Sequence, residues 1–244
     1  KIPTALLGTE PMLSNTKLIY YDFPVNDIYK NNELPSYKNI AVSNDNFMYD
    51  VRKFLKSDEG MISKVLYHLK NDSQKNGIVH YITHCNGFTL ADLVSYDRKH
   101  NDINGEHNMD GNPYNCSWNC GFEGKTRKKN ILDLRIKQMK NACVFNLLSH
   151  STPLILSGDE FGNSQEGNNN PYCQDNKITW LNWDDLEKYN EIYHFVKELI
   201  AFRKSYPILH MLERFQMTDC LECGYPDLSY HGDEAWKLDA DDLT

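Results

Sequence analysis

Residues 78–90 constrain the fold of this chain more than any other stretch. The run Ile-Val-His-Tyr-Ile-Thr at 78–83 is rich in apolar, β-branched and aromatic side chains, which predicts a buried parallel strand. Polar residues follow it directly: His84, Cys85 and Asn86. Thr89 can then cap a helix that begins at Leu90. In parallel α/β folds the chemistry lies at the carboxyl ends of the strands, so we expect these three polar residues to face any active site.

Strand and helix patterns alternate four times along the chain. Three further runs predict strands, at 16–21, 40–43 and 153–157. Apolar stripes at helical spacing predict helices within residues 47–60, 61–69, 90–100, 131–147 and 184–204. Such alternation is typical of β/α units around a parallel sheet, and four units are half of an eight-stranded barrel. Past Pro207 the pattern turns irregular, as where a second small domain begins.

The composition argues against nucleic acid and membranes as partners. A net charge of -8 over 244 residues does not suit nucleic acid, whose binding requires basic patches. No apolar run approaches the roughly 20 residues that span a bilayer. Seven scattered cysteines are typical of reduced thiols, which predicts a cytoplasmic protein and no disulfide framework. Cys220 and Cys223 lack a second pair at zinc-finger spacing, so no metal is predicted.

The chain opens at Lys1, and we expect it to be a piece of a longer protein.

Two long polar loops, at 100–122 and 163–176, interrupt the regular pattern, and loops of this length inside a domain are usually functional. Glycoside hydrolysis uses a pair of carboxylates across the scissile bond. The predicted strand ends offer Asp22, Asp159 and Glu160, with Asn86 where a third acid would stand. The 15 Tyr and 4 Trp residues suit stacking on sugar rings. A carboxylate at a strand end can equally cap a helix or pair with an arginine.

Several stretches together resemble one known family. They are Asn86-Gly-Phe-Thr-Leu-Ala-Asp-Leu-Val-Ser-Tyr-Asp-Arg-Lys-His-Asn, Asn104-Gly-Glu, Cys116-Ser-Trp-Asn-Cys-Gly-Phe-Glu-Gly, Thr152-Pro-Leu-Ile-Leu-Ser-Gly-Asp-Glu-Phe-Gly and residues 167–183. Over residues 11–210 the chain is similar to the glycogen-debranching and isoamylase branch of glycoside hydrolase family 13. The resemblance implies a retaining α-1,6-glucosidase on a TIM (β/α)8 barrel, acting on glycogen, starch or limit dextrins without a cofactor. Residues 1–210 would then be strands five to eight of the barrel, and residues 211–244 the start of a C-terminal β domain.

Placed residue by residue, the resemblance also implies that the family's catalytic acids are missing. The family has an Asp nucleophile after the fourth strand, a Glu general acid after the fifth and a further Asp after the seventh. The nucleophile's strand would lie before Lys1, so this residue is absent. The general-acid position falls on Tyr21, the third-acid position on Asn86, and the position of a sugar-contacting His on Cys85. A tyrosine with a pKa of about 10 donates a proton poorly, and an amide holds no negative charge.

Asp22 and His84 each lie one residue from a substituted position. In a strand, a shift of one residue turns the side chain to the opposite face, so we expect no hydrolysis by this chain alone. The residues predicted to contact an α-glucan are Asp22, His84, Cys85, Asn104, Glu106, Trp118, Asp159, Glu160, Asn168 and Asn169.

Other interpretations stay open. Asp159 and Glu160 would only orient neighbouring loops if they are scaffolding, and Trp118 and Trp180 would then pack in the core. The alternative functions are a non-catalytic glucan-binding or regulatory homologue, or a truncated product without activity. Because half a barrel leaves two strand edges open, we also expect a complementing half-barrel or self-association.

Overall fold

A parallel sheet organises the described part of the chain. The computed structural model describes residues 7–8, 10–21, 39–70, 77–211, 214–220, 222–232 and 234–237. The strands are β1 (Leu18–Tyr20), β2 (Ile40–Ser43), β3 (Gly77–His80) and β4 (Thr152–Pro153). They lie in the order β1-β2-β3-β4, and each neighbouring pair is parallel. The α/β class predicted from the alternating pattern is therefore confirmed, and the carboxyl ends of the strands share one edge of the sheet.

Helices lie between β2 and β3, between β3 and β4, and after β4. They are α1 (Asp45–Leu55), α2 (Ile62–Lys70), α3 (Leu90–Leu93), α4 (Lys129–Leu148), α5 (Asp185–Lys188) and α6 (Asn190–Ser205). Short 3-10 turns occur at Pro11–Leu13, Asp102–Asn104, Asp159–Phe161, Pro171–Cys173 and Pro207–His210. Among the helices in the described ranges, none has the length and apolar content to cross a membrane.

The hydrophobic core lies where α1, α4 and α6 meet the loop before α3. Phe47 and Val51 are fully buried because they are four residues apart and share one face of α1. The side chain of Asn44 accepts a hydrogen bond from the Phe47 amide at 3.1 Å, which caps this helix. Other buried members of the core are Val65, Ile82, Phe88, Met139, Ala142, Ile192 and Val196.

Several strands are shorter than the sequence predicts. β1 begins at Leu18 rather than at residue 16, and β3 ends at His80 rather than at Thr83. Beyond β3, the Ile82 carbonyl accepts from Arg52 Nε at 2.7 Å instead of from a strand. β4 spans Thr152–Pro153 instead of 153–157, because the Leu154 carbonyl accepts from Asn146 Nδ2 at 2.8 Å. Side chains of helical residues thus donate to the backbone carbonyl groups that would otherwise accept hydrogen bonds from a neighbouring strand.

The helix predicted at 90–100 was also wrong in length, since α3 ends at Leu93. The Leu93 carbonyl accepts from the Trp118 amide at 3.0 Å, and the Ser95 carbonyl from the Gly124 amide at 2.7 Å. These bonds to the following loop replace the bonds that would continue the helix. The helix predicted at 184–204 is divided into α5 and α6.

The described residues after 211 contain no helix or strand. Their contacts with the α/β part include an aromatic contact and a hydrogen bond. The Phe215 ring lies 4.6 Å from the His150 ring, and the Tyr230 hydroxyl donates to the Leu66 carbonyl at 3.1 Å. A separate domain beginning at residue 211 stays a prediction.

Candidate functional site

Aromatic and polar side chains gather at the carboxyl ends of the strands. Tyr21 follows β1, and its ring meets the His84 ring edge-on with the centroids 4.9 Å apart. The Tyr81 ring lies 5.4 Å from the same imidazole. The Tyr81 hydroxyl donates to Asp45 Oδ1 at the start of α1. The sheet thus brings together Tyr21, which follows its first strand, and His84, which follows its third.

The turn after β3 is held by its own imidazole. The Asn86 amide donates to His84 Nδ1 at 3.2 Å, and Cys85 Sγ lies 3.5 Å from the same nitrogen. Because Nδ1 accepts a backbone hydrogen bond, the proton of the neutral ring is on Nε2. Burial lowers the pKa of His84, which favours this neutral form. Cys85 and Asn86 are exposed and project their polar groups to solvent.

Tyr21 stands at this edge as a weak acid. Its side chain is 52% exposed. Partial burial raises the pKa of Tyr21, and the nearby Cys85 and Asp45 raise it further. The phenol therefore holds its proton even more firmly than an ordinary tyrosine at neutral pH.

Asp159 does not face solvent at this edge. It is 4% exposed, and both of its oxygens are engaged. Oδ1 accepts from the Leu90 amide at 2.8 Å, and Oδ2 accepts from the Thr83 hydroxyl. Burial raises the pKa of Asp159 to about 7, and the charges of Glu160 and Asp92 add to the effect. This geometry agrees with the interpretation in which Asp159 orients neighbouring loops.

Glu160 is half-buried beside Asp159, and its Oε2 accepts from the Gly158 amide at 2.9 Å. The bond joins residues two apart in the same turn. The other carboxylate oxygen of Glu160, Oε1, is left for other partners.

Asn169 lies at the centre of a buried amide cluster that joins the two long loops. It is 1% exposed, and Asn101 beside it is fully buried. Asn169 Nδ2 donates to the Asn112 carbonyl at 2.8 Å and to Asn115 Oδ1 at 2.9 Å. Its Oδ1 accepts from Asn101 Nδ2 at 2.9 Å. The hydrogen-bonding groups of this side chain are consumed inside the protein.

Asn168 and Asn104 form the second half of the cluster. Asn168 Nδ2 donates to Asn104 Oδ1 at 2.8 Å. Asn104 Nδ2 donates to Asp110 Oδ2 at 2.7 Å and to the Asn170 carbonyl at 2.9 Å. The hydrogen bond from Asn104 lowers the pKa of Asp110. The predicted contacts of Asn104, Asn168 and Asn169 with a glucan stay predictions, since the observed role of all three is to hold the loops together.

Gly111 fits against this cluster only because it lacks a side chain. Its φ is +72°, and a Cβ placed there would lie 2.2 Å from Asn169 Oδ1 and 2.8 Å from Asn101 Nδ2. Any other residue would displace the amides.

The remaining residues that the sequence analysis singled out are exposed to solvent to different extents. Glu106 is exposed, and Trp118 is 37% exposed. Trp180 is 57% exposed, and its Nε1 donates to Asp175 Oδ1 at 3.0 Å. The interpretation of Trp180 as a core residue is therefore wrong. Asp22 lies outside the described residues.

Sequence reasoning missed three residues that shape this edge. Asp45 is the second residue after β2, so the rule that selected Asp22 and Asp159 also selects it. That rule does not select Tyr81, because the sequence predicts this residue to lie inside a strand. Arg52 is 4% exposed on α1, and it donates to the Ile82 carbonyl and, at 2.9 Å, to the Asn115 carbonyl. Burial lowers the pKa of Arg52 to about 10. The residues next to Arg52 in the sequence do not indicate that it is buried.

All seven cysteines are free thiols, as predicted. Across the described residues, no group of three or more His, Cys, Asp or Glu side chains is arranged to hold a metal ion.

Comparison with known proteins gives relatives along nearly the whole chain. No family model matches it. Chloroplastic isoamylase 3 of Oryza sativa subsp. japonica is 39% identical over 241 residues, which are 95% of this chain and 30% of the relative. The glycogen operon protein GlgX homolog of Haemophilus influenzae is 40% identical over 214 residues, 82% of this chain and 32% of the relative. The chain thus spans about a third of the length of these relatives.

Solved structures share the fold. Pullulanase from Bacillus acidopullulyticus has a TM-score of 0.52 at 18% identity, over 71% of this chain and 20% of that one. Type I pullulanase from Bacillus subtilis, complexed with maltose, has a TM-score of 0.51 at 20% identity, over 71% and 23%. With the motifs and the relatives taken together, this chain belongs to the isoamylase and glycogen-debranching branch of glycoside hydrolase family 13.

Proposed function

We propose that this chain is the later part of a debranching α-glucan hydrolase barrel that binds α-glucan but does not hydrolyse it alone. In this proposal residues 1–210 are strands five to eight of a (β/α)8 barrel, and residues 211–244 begin a C-terminal β domain. The parallel order β1-β2-β3-β4 supports this assignment. The coverage of about a third of each relative supports it as well.

The observation that carries the proposal is the chemistry at the strand ends. A retaining glycosidase needs one carboxyl group to protonate the leaving oxygen and another to attack the sugar. Tyr21 stands at the general-acid position and Asn86 at the third-acid position, and neither supplies a carboxyl group. The carboxylates nearby have other partners, since Asp159 binds Thr83 and Leu90, and Asp45 binds Tyr81.

The proposed ligand is an α-glucan such as glycogen, starch or a limit dextrin. The names of the relatives support this class, because they are isoamylases and glycogen operon proteins. The maltose complex of the Bacillus subtilis pullulanase supports it too. On this chain, the polar groups of His84, Cys85 and Asn86 beside the Tyr21 ring offer hydrogen bonds next to an aromatic surface, as sugar binding requires.

Two further assignments remain proposals. A complementing half-barrel or a second copy would supply strands against the open edges of the sheet. The compartment also remains a proposal. The seven free cysteines favour the cytoplasm, and the relative from Oryza sativa is chloroplastic.

Glucan binding and hydrolysis measured on the same sample test the proposal. We expect migration of the chain to slow in affinity gels containing glycogen or pullulan, with no release of reducing ends. Trp180→Ala serves as the matched surface variant and Tyr21→Ala as the site variant. Tyr21→Ala should weaken binding more. Release of reducing ends by the chain alone would overturn the proposal and would direct attention to Asp22 and His84 as substitute acids. Absence of any retardation would favour a fragment without function.

A further inference from the structure

One carboxylate holds both ends of the turn that carries the candidate site. Residues 81–89 connect β3 to α3, and residues 83–90 form the turn that leads into this helix. At the first end, the Thr83 hydroxyl donates to Asp159 Oδ2, and at the other the Leu90 amide donates to Asp159 Oδ1 at 2.8 Å. His84, Cys85 and Asn86 lie between these two attachments.

We propose that Asp159 is a positioning residue, which fixes the conformation of residues 83–90 and so sets where His84, Cys85 and Asn86 stand, without contacting the glucan itself. The effect of Asp159 on glucan binding rests on the proposed function. Its effect on the conformation of residues 83–90 is independent of that function. The inference replaces the direct contact predicted from the sequence, since Asp159 is 4% exposed and has both oxygens engaged.

The contacts within the turn explain why this attachment matters. Between its ends, the turn is held by the fully buried Phe88 ring, by the bond from the Asn86 amide to His84 and by the contacts of the His84 ring with Tyr21 and Tyr81. The bond from Asn86 to His84 is internal to the turn and moves with it, and Phe88 anchors the turn on the side of α3. A buried acceptor that is removed leaves its donors unsatisfied, so loss of the Asp159 carboxylate should free the Thr83 end, next to His84, Cys85 and Asn86, and weaken the Leu90 end.

Asp92 provides a matched control. It is fully buried, and it also joins the region around α3 to the loop after β4. Its Oδ1 accepts from the Ser164 hydroxyl and its Oδ2 from the Gln165 amide at 2.8 Å. Asp92 therefore has the burial and the chemistry of Asp159. Its carboxylate also bonds the Thr89 hydroxyl at the α3 end of the turn, but it does not bind Thr83 or the Leu90 amide, so it holds one end of the turn and not both.

Reactivity of the Cys85 thiol reports the state of the turn. Cys85 and Cys173 are both exposed, so their alkylation by iodoacetamide can be compared in one sample by peptide mass spectrometry. In Asp159→Ala we expect the Cys85 rate relative to the Cys173 rate to change several-fold, with Asp159→Asn intermediate because it keeps one acceptor oxygen. In Asp92→Asn, which affects only the Thr89 end of the turn, we expect a smaller change in the ratio than in Asp159→Asn. Amide hydrogen exchange should show loss of protection at Leu90 in Asp159→Ala alone.

The outcomes separate the two proposals. If the wild-type chain binds glycogen, Asp159→Ala should weaken the binding, while Asp92→Asn should retain it. If the wild-type chain binds no glucan, the proposed function fails and the alkylation ratio still tests the positioning role. An unchanged ratio in a folded Asp159→Ala variant, or an equal change in Asp92→Asn, would overturn the inference. Should Asp159→Ala not fold, the same comparison in Asp159→Asn applies. A Leu90 amide that exchanges as fast as an open loop in the wild-type chain would also overturn it.

Discussion

His80 gives a stability prediction whose size follows from the structure. It is 2% exposed at the end of β3, and its ring stacks on Phe47 with the centroids 3.8 Å apart. Its Nε2 lies 3.2 Å from Asn44 Nδ2, and its Nδ1 lies 3.0 Å from Ser149 Oγ. Asn44 Oδ1 caps α1 through the Phe47 amide, so its NH2 group must face the imidazole. Nε2 therefore accepts a hydrogen bond, and the buried ring is neutral.

Protonation of His80 would place a second N–H against the Asn44 NH2 group. Burial lowers the pKa of His80 to about 3, with the charges of His68 and Arg203 adding to the effect. An unfolded chain has a histidine pKa of about 6.5. Below that pH the unfolded chain takes up a proton that the folded chain refuses, so stability falls as the pH falls from about 6.5 to about 3. The loss is about 2 kcal/mol at pH 5 and approaches about 5 kcal/mol near pH 3.

The assay is urea unfolding followed by tryptophan fluorescence at about pH 7.5 and about pH 5. Other groups titrate in this range, and Asp159 acts in the opposite direction, because its pKa is raised to about 7. The informative quantity is therefore the difference in unfolding free energy between wild type and His80→Gln. That difference should shrink by about 2 kcal/mol on going to the lower pH. The exposed His194 supplies the control for replacing a histidine, since His194→Gln should change the free energy of unfolding by less than about 0.5 kcal/mol at about pH 7.5. A constant difference for His80→Gln would refute the reasoning.

Three other predictions concern the site and its support. On the proposed assignment of this chain to strands five to eight, Tyr21→Glu with Asn86→Asp should release no reducing ends from pullulan, because the nucleophile follows a strand outside those four; release would contradict that assignment. Asn169→Leu should cost about 3 kcal/mol of unfolding free energy, because it leaves its amide partners unsatisfied, and a cost below about 1 kcal/mol would refute that role. Trp180→Ala should change stability by less than about 0.5 kcal/mol, since the ring is largely exposed; a larger loss in urea unfolding would contradict the exposed placement.

Local signals predicted the order of the elements well. The apolar spacing of Phe47 and Val51 is encoded within a few residues, and both residues lie in α1 as predicted, although α1 spans Asp45–Leu55 rather than ending near residue 60. The cap at Thr89 also forms, since its hydroxyl accepts from the Asp92 amide at 3.2 Å. These features depend on neighbours along the chain, so the sequence displays them directly.

The ends of the elements were harder to predict because distant groups decide them. β3 stops where Arg52 takes the Ile82 carbonyl, 30 residues away along the chain. α3 stops where the Trp118 amide takes the Leu93 carbonyl. Helical or strand periodicity, which is read over a short stretch of sequence, gives no indication that Arg52 or Trp118 will bond these carbonyl groups.

The sequence by itself determined the parallel α/β class, the position of Tyr21, His84, Cys85 and Asn86 after strands, and, through its motifs, the family. Only the tertiary structure decided which polar groups remain for a ligand. Asp159 meets Thr83 across 76 residues, and Asn169 meets Asn115 across 54, so two residues that were predicted to contact a ligand are buried and bonded to other parts of the protein. The physical reason is that a buried polar group must find a partner wherever the fold brings one, and that partner is chosen by proximity in space rather than along the chain.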